Sequence, residues 1–192
     1  MSSGQPEPPR KPPVRPSIAT RTGDAGQTDL LFGRRVAKSH PRMRVNGDID
    51  ELISCFGLVK CQTRDTADFQ YLETLQRELQ MVGGEIAVLP EDMERYRASR
   101  IEKLDDAALQ RLDDAIARIE ATLRLPPGWA MPGADPRAAA FDLSRSVARR
   151  VERSLWSLVQ EEGVGLRPLL MRYVNRLSDY LWLRAREITQ GL

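Results

Sequence analysis

The chain has 192 residues, a length that suits one domain or one domain with a tail. Apolar residues make up 41% of it, enough for a sizeable core, and 29 lysines and arginines nearly balance 27 acids to leave a net charge of +2. This balance argues against a dedicated nucleic-acid-binding protein, which would be strongly basic on one face. Any anion-binding site must therefore be local.

The N-terminal segment, residues 1–17, contains six prolines and almost no large apolar side chains. We expect a disordered, proline-rich tail, because this composition cannot bury a core. Its basic residues Arg10, Lys11 and Arg15 are compatible with a transit peptide, but the prolines oppose the amphipathic helix that such peptides form.

The remaining sequence indicates a protein of a reducing compartment, the cytoplasm. Cys55 and Cys61 lie six residues apart on a predicted helix, so they point to different faces and cannot bridge each other locally. No apolar run reaches the length of a membrane span, and none follows the basic N-terminal residues as a signal peptide would require. We expect no membrane and no nucleic-acid partner.

Residues 18–192 predict a single helical domain that opens with an irregular stretch up to residue 46. No convincing strand pattern occurs, and apolar residues then recur at helical spacing in five segments. The fold class is all-α, a five-helix bundle of the up-down, ferritin-like type. The five apolar stripes run through Ile49–Val59, Phe69–Val82, Leu109–Leu123, Val147–Leu158 and Leu170–Ile188.

Charges and helix breakers set the predicted ends of the first three helices. The first should begin near residue 48, because Asp48, Asp50 and Glu51 would then lie in its first turn, where the helix dipole favours acids. Gly83–Gly84 should end the second helix, and the prolines at 126–127 should end the third.

The fourth predicted helix, about residues 137–162, carries the stretch SRSVARRVER. Arg145, Arg149, Glu152 and Trp156 share one face of it, opposite the apolar stripe. Stacked arginines without interleaved acids are mildly unfavourable unless something anionic meets them. Guanidinium groups suit phosphate oxygens, so this face either binds a phosphate or packs against acids elsewhere in the chain.

Two further features accompany this face. The fifth helix, about residues 168–188, places Asn175 and Asp179 one turn apart, although both residue types have below-average helix propensity, and this placement suggests a task. The loop TRTGDAGQT, residues 20–28, can turn backbone N–H groups toward a phosphate. It is not a Walker A loop, since it lacks a GKS or GKT ending. With Lys38 downstream and the arginines of the fourth helix, the loop predicts a triphosphate cradle.

These segments together resemble the propanediol-utilization-type ATP:cob(I)alamin adenosyltransferases, from about residue 20 to residue 188. The resemblance is carried in order by TRTGDAGQT, RVAKSHPRMRVNGDIDEL, MPGADPRAAAFDLSRSVARRVER and YVNRLSDYLWLRARE. It implies that residues 18–192 are a cobalamin adenosyltransferase domain with the ATP-binding loop at its start. It also implies a homotrimer with active sites at subunit interfaces.

The resemblance implies the roles of individual residues. The catalytic set would be Arg149 with Asp50 and Arg145, the last two meeting across the interface. Trp129 stands sixteen positions before Arg145, where the family has an aromatic residue that displaces the lower axial ligand of cobalt. Together with Trp129, the ATP- and cofactor-binding residues would be Thr20, Arg21, Thr22, Gly23, Thr28, Asp29, Lys38, Arg149, Arg150, Val151, Glu152, Arg153, Asn175 and Asp179.

The reaction implied by the resemblance moves the 5′-deoxyadenosyl group of ATP to cob(I)alamin and releases triphosphate. ATP would carry Mg²⁺ on its phosphates, cobalamin would be a substrate, and no protein metal site is expected. A reductase and an adenosylcobalamin-dependent enzyme are the expected partners.

The sequence departs from the family pattern mainly near the expected cobalamin site. Arg21 replaces a lysine in the loop, whereas the other departures are Ile53, Ala134, Phe141 and Trp129. Two alternatives stay open: a homologue with impaired turnover that serves as a carrier or regulatory module, and a purely structural bundle whose arginines pair with acids. In the structural alternative, Trp129 merely plugs the end of the bundle.

Overall fold

A computed structural model describes residues 19–124 and 128–191. In the described part, five long helices and one short helix follow a small hairpin. The predicted disordered tail and the proline stop at 126–127 lie outside the described residues. The elements are β1 (Gln27–Asp29), β2 (Arg35–Ala37), α1 (Pro41–Cys61), α2 (Thr66–Ile86), α3 (Met93–Ala98), α4 (Asp106–Thr122), α5 (Pro136–Glu162) and α6 (Pro168–Thr189).

The five long helices form one bundle around a continuous apolar core. α5 packs against α1 on one side and α6 on the other, while α2 lies on α1 and α4 on α6. The apolar stripes predicted from the sequence face this core: Val147, Val151 and Leu155 of α5 are at most 4% exposed. The helical bundle is therefore confirmed, with the short α3 as an addition. No helix in the described ranges has the length and apolarity to cross a membrane.

The expectation that no strands occur was wrong. β1 and β2 pair antiparallel, with Thr28 opposite Val36, and a short 3₁₀ turn (Leu31–Gly33) connects them. Phe32 and Gly33 both have positive φ values of 61° and 76° in this turn. Two three-residue strands are too short to show an alternating pattern in the sequence, which is why they were missed.

The predicted start of α1 was also wrong, because the helix begins at Pro41, about two turns earlier. Pro41 occupies the first turn, where its missing N–H costs nothing, and the His40 side chain accepts a hydrogen bond from the Arg42 backbone N–H at 3.3 Å. Asp48 and Asp50 therefore lie in the middle of the helix, away from the favourable end of its dipole.

Gly83–Gly84 does not end α2, which continues to Ile86. A side-chain carbon at Gly83 would come within 3.1 Å of Oδ1 of Asn46, so glycine permits the close approach of α1 and α2 at this point. The glycine is a packing residue and not a helix stop, and periodicity alone cannot separate these two uses.

Candidate functional site

The loop at residues 20–26 runs directly into the β1–β2 hairpin and folds back on Lys38. The backbone N–H of Lys38 donates to the carbonyl of Gly26 at 2.9 Å. A side-chain carbon at Gly23 would lie 3.2 Å from Nζ of Lys38, so glycine leaves room for the lysine beside the loop. The predicted loop residues and Lys38 are thus brought together.

Further contacts hold the loop in one shape. The hydroxyls of Thr20 and Thr22 lie 2.9 Å apart, and Nη2 of Arg35 donates to the carbonyl of Thr22 at 3.0 Å. Arg35 also pairs with Asp29 at 3.3 Å, and this pair is exposed. Arg21 has a φ of 58°, a left-handed conformation that is uncommon for a residue with a side chain and typical of tight functional turns.

The outward face of α5 carries exposed arginines without acidic partners. Arg149 and Arg153 are exposed, and neither forms an ion pair with any described residue. Arg145, two turns before Arg153, is half-buried and likewise has no ion pair within the described ranges. Arg149 and Arg153 lie one turn apart on the exposed side of α5, and because no acid pairs with either of them, they create a local positive surface on a nearly neutral chain.

Arg150 is in a different situation, because it faces α1. Its Nε donates to Oδ1 of Asp48 at 3.1 Å, and its guanidinium also pairs with Glu51. The Ser154 hydroxyl donates to the other oxygen of Asp48 at 2.5 Å. The hydrogen bond to Glu51, together with the nearby Asp48 charge, raises the pKa of Arg150. The structural alternative is therefore right for this arginine and not for Arg149 or Arg153.

The polar residues predicted on α6 lie beside α5. Nδ2 of Asn175 donates to Oε1 of Glu152 at 3.1 Å, so these two predicted binding residues form one pair on the outward side. Asp179 accepts from Nη1 of Arg176 at 3.4 Å. The Val151 side chain is fully buried in the core, so it cannot present its side chain to a ligand.

Arg145 lines an open cavity of about 440 Å³ between α4, α5 and α6, together with Asp113, Arg176, Asp179 and Trp182. Asp50 lies on α1 and is exposed. Asp50 and Arg145 do not form an ion pair within the chain. Their predicted meeting therefore requires a second copy of the chain.

Trp129 does not plug the end of the bundle. It is 97% exposed, and Met131 two residues later is 78% exposed. Two large exposed apolar side chains two positions apart make this segment a candidate for contact with an apolar ligand or partner. The nearby departures differ in setting: Phe141 is buried in the core, Ile53 packs against the core, and Ala134 is exposed.

Some contacts around the loop were not predicted at all. Arg34 donates from Nε to Oδ2 of Asp92 at 2.5 Å and from Nη2 to Oδ1 at 2.9 Å. These hydrogen bonds lower the pKa of Asp92. The two residues are 58 positions apart, so no local signal in one sequence could have joined them.

Comparison with known proteins agrees with this geometry. Residues 18–188 match the family model described as cobalamin adenosyltransferase. The chain therefore belongs to the cobalamin adenosyltransferase family, which confirms the resemblance inferred from its motifs.

Several known relatives are similar over most of this chain. The chain is 39% identical over 173 residues to the corrinoid adenosyltransferase PduO of Salmonella typhimurium, which covers 88% of this chain and 49% of the relative. It thus spans about half the length of that protein, and the same holds for PduO of Citrobacter freundii. A second corrinoid adenosyltransferase of Citrobacter freundii is 35% identical, with 88% of this chain and 93% of the relative covered.

Solved structures show the same fold. A variant of the PduO-type ATP:corrinoid adenosyltransferase from Lactobacillus reuteri, complexed with cobalamin and ATP, matches with a TM-score of 0.80 and 27% identity over 91% of this chain and 94% of that one. Another variant of the same enzyme, complexed with ATP, matches with a TM-score of 0.78 and 26% identity, over 90% and 94% of the two chains.

Proposed function

We propose that the protein transfers the 5′-deoxyadenosyl group of ATP to cob(I)alamin, forming adenosylcobalamin and releasing triphosphate. The observation that carries the proposal is the pair of exposed arginines Arg149 and Arg153 on α5, which form no ion pair with a described residue, in a chain that also presents the TRTGDAGQT loop beside Lys38. Guanidinium and ammonium groups of this kind suit the three phosphates of ATP.

This reaction does not require the protein to supply a general base. The cobalt of cob(I)alamin is itself the nucleophile at the 5′ carbon, and triphosphate is the leaving group. The protein must hold the two substrates in line and stabilise the charge that develops on the triphosphate. We assign the second task to Lys38, Arg149 and Arg153, while Asp48 and Glu51 hold Arg150 against α1.

The remaining binding residues surround this centre in the proposal. Asn175 and Glu152 form the wall toward α6, and Asp179 lies one turn further along. A magnesium ion would travel with the phosphates, because Mg²⁺ keeps several waters and takes only one or two carboxylates. The exposed carboxylate of Asp24 in the loop fits that requirement, whereas Asp29 in β1 is already paired with Arg35.

We assign Trp129 to the corrin side of the site. An exposed indole on the loop before α5 offers a flat apolar surface that can cover the lower face of cobalt and exclude water and the nitrogen ligand. Removing that electron-donating ligand makes cob(II)alamin easier to reduce, which a reductase partner in the cytoplasm would then do. An adenosylcobalamin-dependent enzyme would receive the product.

We further propose a homotrimer with its sites at the subunit interfaces. The support is the separation of Asp50 and Arg145, each of which lacks an ion-pair partner among the described residues of its own chain. In a symmetric assembly, Asp50 on α1 of one copy can pair with Arg145 on α5 of a neighbouring copy, and this pair joins the two helices across the interface.

Two measurements test the proposed function. Titration of the protein with ATP, with and without Mg²⁺, should show saturable binding, and the absence of binding would leave only a structural bundle. Addition of ATP to chemically reduced cobalamin and protein should then produce the absorption spectrum of adenosylcobalamin. Binding of both substrates without formation of the cobalt–carbon bond would instead support a carrier, which no present observation favours.

A further inference from the structure

The tip of the β1–β2 hairpin is fastened to the body of the bundle through the segment between α2 and α4. The backbone N–H of Leu31 donates to the carbonyl of Ala87 at 2.9 Å. Arg34 forms its two hydrogen bonds with Asp92, which is only 7% exposed. The guanidinium of Arg95 lies 4.2 Å from the ring centre of Phe32. Three different kinds of contact thus meet at this tip.

The segment that receives the tip is itself anchored in the core. Arg42 of α1 is 2% exposed and donates to the carbonyls of Ile86 at 3.0 Å and of Val88. The same guanidinium pairs with Glu162 at the end of α5, at 2.6 Å. The side chains of Tyr96 and Leu104 are buried, at 1% and 2% exposed. The surface beneath the hairpin is therefore rigid.

Two successive arginines connect this surface to the phosphate loop. Arg34 reaches down to Asp92, whereas Arg35, the next residue, reaches the other way and donates to the Thr22 carbonyl in the loop. Successive side chains of an extended segment point to opposite sides. Arg34 therefore contacts Asp92 on one side of the hairpin, and Arg35 contacts the loop on the other side. Among the described residues, the hydrogen bonds of the loop at residues 20–26 are made within the loop, with Arg35 and with Lys38.

We infer that the Arg34–Asp92 pair is a positioning device for ATP: it holds the hairpin, and through Arg35 the loop at residues 20–26, in the shape that receives the triphosphate. This inference rests on the proposed function, since it assigns the loop to ATP. A loop released from this anchor must be ordered when ATP binds, and that ordering lowers affinity. Neither residue touches the phosphates in this account.

The pair Arg111–Glu78 supplies a matched control. It also joins a half-exposed arginine to a buried carboxylate: the arginine and acid side chains are 47% and 3% exposed there, against 46% and 9% for Arg34 and Asp92. Arg111 lies on α4 and Glu78 on α2, away from the hairpin. Arg111→Ala should therefore reproduce the loss of an ion pair without releasing the loop.

The experiment compares the wild type, Arg34→Ala, Asp92→Ala, their double variant and Arg111→Ala in the full-length chain. We expect Arg34→Ala to raise the Kd of ATP about tenfold, with cobalamin affinity unchanged. The KM of ATP should rise more than kcat falls. Arg111→Ala should lower the melting temperature by a similar amount but leave the Kd of ATP within about twofold. The double variant should bind ATP no more weakly than either single variant, because each single substitution already removes the same contact.

The outcomes separate this inference from the proposed function. If the wild type binds no ATP, the proposed function fails and the inference falls with it. If the wild type binds ATP but Arg34→Ala binds it equally well, or if Arg111→Ala loses as much affinity, only the positioning role is wrong. Should Arg34→Ala fail to fold, Arg34→Lys replaces it: it keeps the charge but loses the two-pronged contact, and an unchanged Kd of ATP in that variant would overturn the inference.

Discussion

The two sides of α5 place arginines in opposite situations. Toward α1, Arg150 is neutralised by Asp48 and Glu51 and braced by Ser154 through Asp48. On the outward side, Arg149 and Arg153 are exposed and form no ion pair with a described residue. Adjacent residues in one RR pair therefore serve different ends: one ties two helices together, and the other is free for an anionic ligand.

The comparison teaches that an arginine-rich helix should be judged residue by residue. The inward arginine has the partners that a structural role requires, and its removal would leave two acids in a helix seam. The outward arginines repel each other in the free protein by roughly a few tenths of a kcal/mol, and an anionic ligand would reverse that sign.

Asp50→Ala tests whether the outward side extends across a subunit boundary. The variant should weaken trimer assembly by about 2–5 kcal/mol, because it leaves Arg145 of the neighbouring copy unpaired in the interface. Sedimentation velocity measures the change. Exchanging the two charges, Asp50→Arg with Arg145→Asp, should restore part of the assembly. A wild type that sediments as a monomer would remove the interface from the account.

Arg149→Ala tests the outward side itself. It should weaken ATP binding by about 1.5–3 kcal/mol, the usual loss for a hydrogen bond to a charged group, and leave the free energy of unfolding nearly unchanged. Isothermal titration calorimetry measures both affinity and stoichiometry. Arg77→Ala is the control, since Arg77 is an exposed arginine on α2 and its loss changes the net charge equally. Equal affinity in the two variants would refute the phosphate assignment.

Asp48→Ala tests the inward side. The free energy of unfolding should fall by about 1–2 kcal/mol, because Asp48 loses its hydrogen bonds from the charged Arg150 guanidinium and from the neutral Ser154 hydroxyl. Urea denaturation measures the change, with the exposed Glu102→Ala as control. A loss of ATP affinity as large as that of Arg149→Ala, with stability unchanged, would erase the distinction between the two sides.

Trp129→Ala tests whether the exposed indole acts on cobalamin and not on ATP. Because the indole is 97% exposed, stability should change by no more than about 0.5 kcal/mol, and ATP affinity should hardly change. Electron paramagnetic resonance of bound cob(II)alamin with ATP should show loss of the lower nitrogen ligand in the wild type and its return in the variant. Identical spectra for the two proteins would show that Trp129 has no such role.

Much of the bundle could be predicted because its signals are periodic and local. The buried stripe through Val147, Val151 and Leu155 followed from spacing alone. The start of α1 did not, since acids at residues 48–51 suggest a first turn, whereas in the fold Asp48 and Glu51 lie mid-helix and serve Arg150. The two acids pair with an arginine of another helix, and the sequence pattern of α1 alone does not reveal such a partner.

The candidate site divides in the same way. Residue type and spacing predicted the loop and Arg149 as a phosphate site, whereas the role of Arg153 came from the family resemblance. Which arginine of the RR pair is paired could not be predicted, because that depends on the rotation of α5 against α1. The anchor at Asp92 depends on a contact across 58 residues, which no local pattern records.

The central claim is that ATP lies with its triphosphate on the outward side of α5 and loses that triphosphate whole. The most direct test is to supply ATP and chemically reduced cobalamin to the protein and to quantify adenosylcobalamin and inorganic triphosphate in the same reaction by chromatography. The account predicts equal amounts of the two products, and a large loss of both in Arg149→Ala at low ATP concentration. Release of orthophosphate or pyrophosphate without a cobalt–carbon bond would contradict it.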